Sequence, residues 1–509
     1  MTKKIGNAAI GGRRGLTMKQ APLRWSDDFM YQAILRHDRS YDGKFLTCVL
    51  STGIYCLPSC PARKPLLKNI RFLANEREAV DAGFRICKRC RPDLFYRGEN
   101  ADVRLFDAML ERLRAEPAKI KGVAALAKLC GVSSTKLNEL VRHHAHLSPA
   151  DLIGKERVRT AGHALLSTTE NVLNVGLSVG FASEASFHRQ FLAHMAMTPS
   201  TYRALSRANE FSLKLPTDYS PDGIWRYHLR DQSGLSERFE NGVFTRALWL
   251  DDRPAVVTLR IGDGQAHCRW ETAPSPEASA SASGVEVHRQ VMKLLGLHTD
   301  TGAFYAAAKQ NPTLKRLADA TPVLYVPLTA TPFEALTWAI IGQQINLTFA
   351  AALRHDLIKL AGRQASDDGL WIHPRPSDIA VLSPESLTRI RFSRAKANYL
   401  IDAARAIADG SFDLNSLAYG SAETAEKALC QLKGVGPWTA RYTMMRGLGF
   451  ADSAPVGDSG LAAALVRFYA LEARPNAAQA EQLMLPFTPF RTQATAHLWE
   501  TLRTPYATE

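Results

Sequence analysis

The sequence has 509 residues, of which 46% are hydrophobic and 22% are charged. At about 100–200 residues per domain this length predicts three or four domains, and the ordinary hydrophobic content excludes disorder over most of the chain. An apolar run of about 18 residues is absent, which excludes a membrane span, and the N-terminal residues lack the apolar stretch of a secretory signal. Eight cysteines are too few for a disulfide scaffold, so we predict a cytoplasmic protein whose clustered cysteines bind metal or react.

The net charge of +14 is concentrated in the first two fifths of the chain. Residues 1–100 carry +10 and residues 101–209 carry +5, whereas the remaining residues carry −1. A basic front half indicates a polyanionic partner such as nucleic acid, and a solvated basic surface is an equally good interpretation of the charge alone.

Five of the eight cysteines lie between residues 25 and 98. Cys56 and Cys60 form one close pair, and Cys87 and Cys90 form a second pair 26 residues later. Two such pairs can close a tetrahedron of thiolates around one Zn²⁺, and spacing alone favours a purely structural site. We interpret Cys48 as a buried core thiol.

The segments STGIYCLPSCPARKPLLKNIRF and AGFRICKRCRPD resemble the N-terminal zinc domain of the Ada alkylation-response proteins. The resemblance covers residues 25–98 and implies that Cys56, Cys60, Cys87 and Cys90 bind one Zn²⁺. It also implies that Cys56 accepts a methyl group from a DNA methylphosphotriester. Zinc keeps a thiol deprotonated at neutral pH, and methylation removes negative charge beside many basic residues, so repair could also strengthen DNA binding.

Residues 103–207 contain a repeated helical pattern about 50 residues apart. Gly131 and Gly180 each separate two short helices, and Ser148–Pro149 and Thr198–Pro199 then begin a further helix as N-cap and first residue. Two copies of this pattern of turn glycines and helix-start residues predict a paired helix-turn-helix.

This region resembles the AraC-type DNA-binding domain, which implies two recognition helices at about 134–144 and 183–194. Arg189 matches a base-contacting position of that family, and Glu139 stands where relatives often have arginine. A carboxylate can accept from cytosine but repels phosphate. The candidate DNA contacts are Lys136, Asn138, Arg142 and Arg189, and Glu184 and His188 lie beside Arg189 on the second recognition helix.

The sequence pattern changes from helical to strand-like over residues 210–272. The segment LWLDDRPAVVTLRIGDGQAHCRWE has β-branched runs and turn dipeptides, which predict a small sheet. APSPEASASASG, at 273–284, is typical of a linker or long loop, and helical patterns return from residue 286.

The segment QLKGVGPWTARYTMMRGLGF reads as a helix, a glycine turn and a second helix. Gly434 and Gly436 would let backbone N–H groups approach a phosphate at a helix N-terminus. Asp458 follows at the start of another helix. From the residues alone, a helix C-cap and an N-cap are the ordinary interpretations of the glycines and of Asp458.

Together the segments over 210–503 resemble the AlkA-type DNA-3-methyladenine glycosylases of the helix-hairpin-helix superfamily. The resemblance implies that Asp458 stabilises positive charge on the sugar as the N-glycosidic bond breaks. It places a flipped-out cationic base among aromatic rings. The implied pocket residues are Trp438, Tyr442, Phe490 and Gln343, and the implied DNA contacts are Gln344, Gly434 and Gly436.

Departures from superfamily patterns carry predictions of their own. Gln344 replaces the leucine that wedges into DNA, and Phe490 replaces a tryptophan. Trp438 stands where bifunctional members carry a lysine, so we expect no lyase activity. Only Cys268 and Cys430 lie in this half, so we expect no iron–sulfur cluster, and a PCHR-type motif for repair of O6-methylguanine is missing. A monovalent cation is a candidate ligand at the hairpin.

We therefore predict a multidomain, mainly α protein. Its parts are a flexible tail (1–23), a small zinc-bound α+β domain (24–99), an all-α double helix-turn-helix domain (101–207), a small β-rich domain (210–288) and an all-α helix-hairpin-helix glycosylase domain (289–509).

The predicted function is an alkylation-damage response. The protein takes a methyl group from DNA phosphotriesters, regulates transcription from a promoter, and releases alkylated bases as a monofunctional glycosylase. Two alternatives remain open at this point: a transcription factor with an inactive glycosylase module, and a glycosylase whose front half only concentrates it on DNA. We predict double-stranded DNA and RNA polymerase as partners, no membrane association, a monomer, and a location in the cytoplasm at the bacterial nucleoid.

Overall fold

The computed structural model describes residues 23, 25–38, 41–98, 100–231, 233–250, 252–272, 283–367 and 369–503. The predicted flexible tail, apart from Leu23, and residues 273–282 of the predicted loop lie outside the described residues. The chain divides into two compact units, residues 1–104 and residues 105–509.

The first unit is built on a four-stranded sheet with the strand order β3-β1-β2-β4. Strand β1 is antiparallel to β2 and β3, and β2 is parallel to β4. The elements in chain order are α1 (Asp27–Leu35), β1 (Leu46–Val49), β2 (Ile54–Cys56), β3 (Ile70–Leu73), α2 (Glu76–Asp81), β4 (Arg85–Ile86) and α3 (Pro92–Tyr96).

Two small apolar clusters stabilise this sheet. Phe45 and Phe72 pack edge to face, with ring centroids 5.5 Å apart, beneath helix α1. Tyr55 is fully buried in the second cluster and donates a hydrogen bond of 2.7 Å to the Glu76 carboxylate. The strands are only two to four residues long, so their ladder supplies little stability alone.

The second unit begins with helices α4 (Ala101–Ala115, from Leu105 onward), α5 (Val123–Cys130), α6 (Ser134–Ala145), α7 (Pro149–Ser167), α8 (Val172–Ser178), α9 (Glu184–Met195) and α10 (Pro199–Ala204). The predicted recognition helices are α6 and α9. Ser148 and Thr198 are N-caps that accept backbone N–H groups, and each precedes a proline. Gly180 has a φ of +100°, and a Cβ there would crowd the Ala118 backbone, so this turn requires glycine.

A five-stranded antiparallel sheet of order β5-β9-β8-β7-β6 follows. Its strands are β5 (Glu210–Lys214), β6 (Glu237–Glu240), β7 (Val243–Leu250), β8 (Arg253–Gly262) and β9 (Gln265–Thr272), with helix α11 (Asp222–His228) between β5 and β6. Along β9 the residues alternate between buried and exposed positions because one face of the strand covers the core.

The rest of the second unit is helical apart from the short pair β10 (Arg363–Gln364) and β11 (Trp371–Ile372). Its helices are α12 (Ser283–Leu294), α13 (Thr301–Ala308), α14 (Pro312–Asp319), α15 (Pro332–Gly342), α16 (Leu347–Ala361), α17 (Pro376–Ala380), α18 (Pro384–Arg389), α19 (Arg394–Ala408), α20 (Ala422–Leu429), α21 (Pro437–Thr443), α22 (Ser459–Tyr469), α23 (Ala477–Met484) and α24 (Arg491–Thr501). The predicted fold class is confirmed.

Within the second unit the helix-turn-helix helices and the sheet share one hydrophobic cluster. Phe191 of α9 and Trp270 of β9 are buried in the same cluster. His288 Nε2 and the Met195 carbonyl oxygen are 2.8 Å apart, and burial lowers the pKa of His288 to about 4, so its neutral ring donates this hydrogen bond. Two segments that the sequence assigned to separate domains therefore pack as one body.

A second contact joins the front helices to the hairpin region. The Asp107 carboxylate of α4 accepts the Ser421 backbone N–H at 3.1 Å and the Thr424 hydroxyl at 3.2 Å. Ser421 is the N-cap of α20, the first helix of the hairpin. Arg114 lies over the Tyr419 ring at 5.5 Å from its centroid. A carboxylate at a helix N-terminus is electrostatically favourable, so this contact fixes α20 from the end opposite the glycine turn.

A buried ion cluster connects the β-rich sheet to helices α15 and α16. The Arg354 guanidinium lies 3.1 Å from both Asp231 and Glu237 and 3.5 Å from Glu334, and Glu334 also pairs with Arg246 at 2.5 Å. All five side chains are 6% exposed or less. Burial alone would raise the pKa of Glu334, but the guanidinium of Arg246 holds it well below its usual 4.5.

We expect Arg354→Ala to lower the free energy of unfolding of the second unit by about 3–5 kcal/mol, because three buried carboxylates lose a shared partner. Urea unfolding followed by tryptophan fluorescence measures the change. Arg394→Ala is the matched control, since its pair with Glu385 at 2.6 Å is more than half exposed and is worth at most about 1 kcal/mol. Equal losses for the two variants would contradict the assigned role of the cluster.

No helix in the described part of the chain combines the length and the apolar character that crossing a bilayer requires.

Candidate zinc centre and base-excision site

The four predicted zinc ligands converge at one end of the first sheet. Cys56 ends β2, Cys60 follows in a turn, Cys87 comes directly after β4, and Cys90 precedes α3. The Cys87 backbone N–H donates to the Tyr55 carbonyl at 3.1 Å, so the β2–β4 pairing brings the two cysteine pairs together.

The geometry of the cysteine cluster fits zinc. All four Sγ atoms lie within 4.8 Å of one another, and Cys60 Sγ and Cys87 Sγ are 4.0 Å apart. A tetrahedron with Zn–S bonds of about 2.3 Å has sulfur–sulfur edges of about 3.8 Å. The described residues therefore hold a preformed S₄ site for one Zn²⁺, which keeps its thiolate ligands deprotonated when bound.

Two neighbours adjust the charge of this cluster. The Leu57 backbone N–H donates to Cys90 Sγ at 3.4 Å, and the Lys64 ammonium donates to the Cys60 carbonyl at 2.5 Å. Burial lowers the pKa of Lys64, while the cysteines beside it act in the opposite direction. Cys48 is fully buried outside the quartet, as predicted, and burial raises the pKa of its thiol to about 12, which disfavours the thiolate.

The two recognition helices present polar side chains outward. Arg189 and Arg142 are exposed, and Arg142 Nε donates to Asn138 Oδ1 at 3.2 Å one turn away. Glu139 is also exposed, and the Glu184 carboxylate lies 3.7 Å from His188. The acidic departure Glu139 therefore lies on a surface that also carries the basic candidates.

The hairpin joins α20 to α21 through a turn that contains Gly434 and Gly436. Gly434 has a φ of +79°, and a Cβ there would overlap the Tyr399 ring, so only glycine fits. Gly436 has an ordinary φ of −91° and open space around it. A side chain at Gly436 would therefore meet no steric obstacle in the described structure.

Asp458 lies between two tryptophans at the N-terminus of α22. Its Oδ2 accepts the Trp438 indole N–H at 3.3 Å, and its Oδ1 accepts the Trp499 indole N–H at 3.2 Å. Oδ1 also caps the helix by accepting the Leu461 N–H at 2.8 Å. The carboxylate is thus an N-cap and is also fixed in orientation by two flanking rings, which an ordinary N-cap does not need.

A Cβ at Gly460 would lie 3.1 Å from Asp458 Oδ1 and 3.4 Å from Trp499 Nε1. A larger side chain there would press on both groups. Neither Gly460 nor Trp499 was predicted from the sequence. The signal for Trp499 was present, because this residue lies within the range 210–503 that resembles the AlkA-type family.

A group of aromatic and cationic side chains lies beside Tyr442, whose ring neighbours that of Trp438. The rings of Trp438 and Tyr442 are 5.8 Å apart and tilted by 32°. The Arg230 guanidinium lies 4.3 Å from the centroid of Tyr227 and 4.0 Å from that of Trp338. Burial raises the pKa of the Tyr442 hydroxyl, so this group stays neutral at physiological pH.

Phe490 lies at the N-terminus of α24. Its ring packs against Phe304, with centroids 5.9 Å apart, at the edge of an apolar cluster that includes Leu461. The assignment of Phe490 to the base pocket stays a prediction. The aromatic ring that contacts Asp458 from α24 is Trp499, because Phe490 is the N-cap residue of that helix and Trp499 lies two and a half turns further along.

Gln343 and Gln344 occupy the turn after α15 and play different parts. Gln343 Nε2 donates to the Gly434 carbonyl at 2.9 Å and lies 3.0 Å from Thr439 Oγ1. Gln343 therefore ties its turn to the hairpin. Gln344 is exposed, with a left-handed φ of +56°.

Three family models match the chain in the order that the sequence analysis predicts. They are the metal binding domain of Ada at residues 29–93, a helix-turn-helix domain at residues 126–205, and the HhH-GPD superfamily of base excision DNA repair proteins at residues 337–489.

Similar proteins cover the same parts. A DNA-3-methyladenine glycosylase of Bacillus subtilis is 28% identical over 57% of this chain and 96% of its own. The Escherichia coli transcriptional activator/DNA repair enzyme Ada is 33% identical over 35% of this chain and 49% of its own. The fold of the solved 3-methyladenine DNA glycosylase of Archaeoglobus fulgidus matches 58% of this chain and 98% of its own, at 22% identity and a TM-score of 0.50.

One relative matches nearly the whole chain. A probable bifunctional transcriptional activator/DNA repair enzyme AlkA of Mycobacterium tuberculosis is 30% identical over 94% of this chain and 97% of its own. The protein therefore belongs to the family of bifunctional activator/repair enzymes that join an Ada-type zinc domain and a helix-turn-helix domain to a DNA-3-methyladenine glycosylase domain.

Proposed function

We propose that Asp458 is the catalytic carboxylate of the glycosylase. The observation that carries the proposal is the convergence of the Trp438 and Trp499 indole N–H groups on its two oxygens. A carboxylate fixed in this way can stabilise positive charge on the deoxyribose as the bond to an alkylated base breaks. The base leaves without a strong general acid because alkylation has already made it cationic.

The binding of the flipped base follows from the rings around Asp458. Trp438 and Tyr442 form one wall, and Trp499 and Phe490 are further aromatic residues of the pocket. A cationic base is attracted by the faces of such rings. Gly434 and Gly436 present backbone N–H groups to a DNA phosphate, and Gln344 enters the gap that the flipped nucleotide leaves.

We further propose that Cys56 is the methyl acceptor. Its Sγ attacks the methyl carbon, the new S–C bond forms as the C–O bond breaks, and the phosphotriester leaves as a diester anion. Cys90 is the most exposed of the four ligands, but the N–H···S bond from Leu57 draws charge from its sulfur and weakens it as a nucleophile.

Peptide mass mapping tests the acceptor. After incubation of the intact protein with methylphosphotriester duplex, we expect a single added methyl group, on Cys56 and not on Cys90. The remaining thiols serve as internal controls, since Cys48 is buried and Cys430 is half-buried in the other unit. A methyl group on Cys90 would overturn the assignment.

The remaining roles complete the proposal. Lys136, Arg142 and Arg189 contact promoter DNA, the methylated form activates transcription through RNA polymerase, and the protein acts as a monomer. Base release leaves an intact abasic strand, because Trp438 replaces the lysine of lyases. A monovalent cation would take backbone carbonyls of the hairpin, of which that of Gly434 already accepts the Gln343 amide.

The test of the glycosylase role is release of 3-methyladenine from alkylated duplex DNA by the purified full-length protein. Free base and an uncleaved abasic strand are the expected products. A strand that is cut without added alkali would contradict the monofunctional assignment.

A further inference from the structure

The turn between α15 and α16 is held rigidly beside the hairpin. Gln343 binds the Gly434 carbonyl, as described above. Lys396 of α19 donates to the Ile341 carbonyl at 2.8 Å, at the end of α15. Asn346 caps α16 by accepting the Phe349 N–H at 2.8 Å. Both ends of the turn are therefore fixed, and its outward side chains have defined positions.

This rigid turn exposes two large side chains. Gln344 projects from the left-handed position, and three residues later Leu347 begins α16 with 72% of its surface exposed. Single exposed leucines are common on protein surfaces and need no explanation by themselves. Leu347 differs because it lies on the short, braced segment whose neighbours Gln343 and Gln344 contact the hairpin and the predicted DNA gap.

Gln344 alone is a poor substitute for a stacked base. Its amide can form hydrogen bonds with the unpaired partner base, but it offers little apolar surface to the base pairs on either side. Proteins that open a base step usually insert an apolar side chain such as leucine. Such a side chain is present here three residues further along, on the same turn.

We propose that Leu347 inserts into the DNA together with Gln344 and provides the apolar surface that fills the gap left by the flipped nucleotide. This proposal rests on the glycosylase role and assigns Leu347 as a DNA-contacting residue of the flipping step. Gln344 then bonds the unpaired base, and Leu347 packs against the neighbouring base pair. This division of roles between Gln344 and Leu347 explains how a chain with glutamine at the wedge position can still hold an opened duplex.

The experiment compares full-length Leu347→Ala with the wild type. Val381→Ala is the matched control, because Val381 is 81% exposed at the end of α17 and lies outside the turn and the hairpin. Single-turnover release of 3-methyladenine is measured from a paired duplex and from a duplex in which the damaged base is unpaired in a bulge. We expect Leu347→Ala to slow release about tenfold or more from the paired duplex and less than about threefold from the bulge, because the bulge has already lost its stacking.

A second measurement does not depend on catalysis. 2-Aminopurine placed next to an abasic site reports, by its fluorescence, whether a side chain has entered the stack. We expect Leu347→Ala to change this signal on binding, Leu347→Met to preserve it, and Val381→Ala to behave as wild type.

The proposal would be overturned if the Leu347→Ala complex had the same fluorescence as the wild-type complex. Equal slowing of base release from the paired and the bulged duplex would overturn it as well. If the wild type releases no base, the glycosylase role fails, and the fluorescence measurement still decides whether Leu347 inserts.

Discussion

Asp458→Asn is expected to slow single-turnover release of 3-methyladenine by about 10²–10³, the usual effect of losing one well-placed electrostatic partner of a transition state. The substitution removes the negative charge and preserves the size of the side chain. Asparagine caps helices nearly as well as aspartate, so the Leu461 N–H keeps its acceptor and the fold should survive. Binding to abasic-site duplex should persist, because the hairpin backbone is unchanged.

The chain offers a matched control for this variant. Asp300 caps α13 by accepting the Ala303 N–H at 3.1 Å and contacts no tryptophan in the described structure. Asp300→Asn should release base at the wild-type rate. If both variants are nearly wild type, Asp458 is only a helix cap, and the catalytic assignment is wrong.

Local rules of sequence explain which parts of the fold were predictable. Ser148–Pro149 and Thr198–Pro199 begin helices as predicted, because capping and the fixed φ of proline act within a few residues. The spacing of the cysteine pairs predicted one cluster, and the structure brings all four sulfurs together. Such features depend on short stretches of chain.

The proposed base pocket was less predictable, because its walls come from distant segments. Trp438 and Trp499 lie 61 positions apart and meet only at Asp458. Sequence similarity around α24 did not show that the Trp499 ring contacts the carboxylate. Arg230 lies in the turn after α11, far from any motif of the glycosylase.

Packing between predicted domains could not be predicted at all. The composition change near residue 209 correctly separates helices from strands, yet Phe191 and Trp270 share a core across that boundary. The apolar faces that meet there look like ordinary core faces of two separate domains. Because the Asp107 carboxylate also accepts the Ser421 N–H at the start of the first hairpin helix, the helix-turn-helix and glycosylase parts should unfold together.

Removal of zinc should unfold the first unit and leave the second intact. Structural zinc contributes about 10–16 kcal/mol to the folding of small zinc domains at neutral pH, and the metal-free ligands would be four clustered thiols with nothing to hold them. The sheet of this unit has strands of two to four residues and two small apolar clusters, which are too small to compensate.

Hydrogen exchange with mass spectrometry measures this effect in the full-length protein after chelation. The β1–β3 amides, such as those of Leu46–Val49, should exchange as in an unfolded chain, while the α21 and α22 amides stay protected. Cys87→Ala should give the same pattern. Cys430→Ala, which changes a half-buried thiol of the second unit, should give the wild-type pattern.

Metal analysis should return about one zinc per chain for the wild type. Protected β1–β3 amides in the metal-free protein would show that the cluster serves methyl transfer without holding the fold. The loss of protection that we expect would mean that the thiolate which reacts with DNA also belongs to the group that folds its own domain.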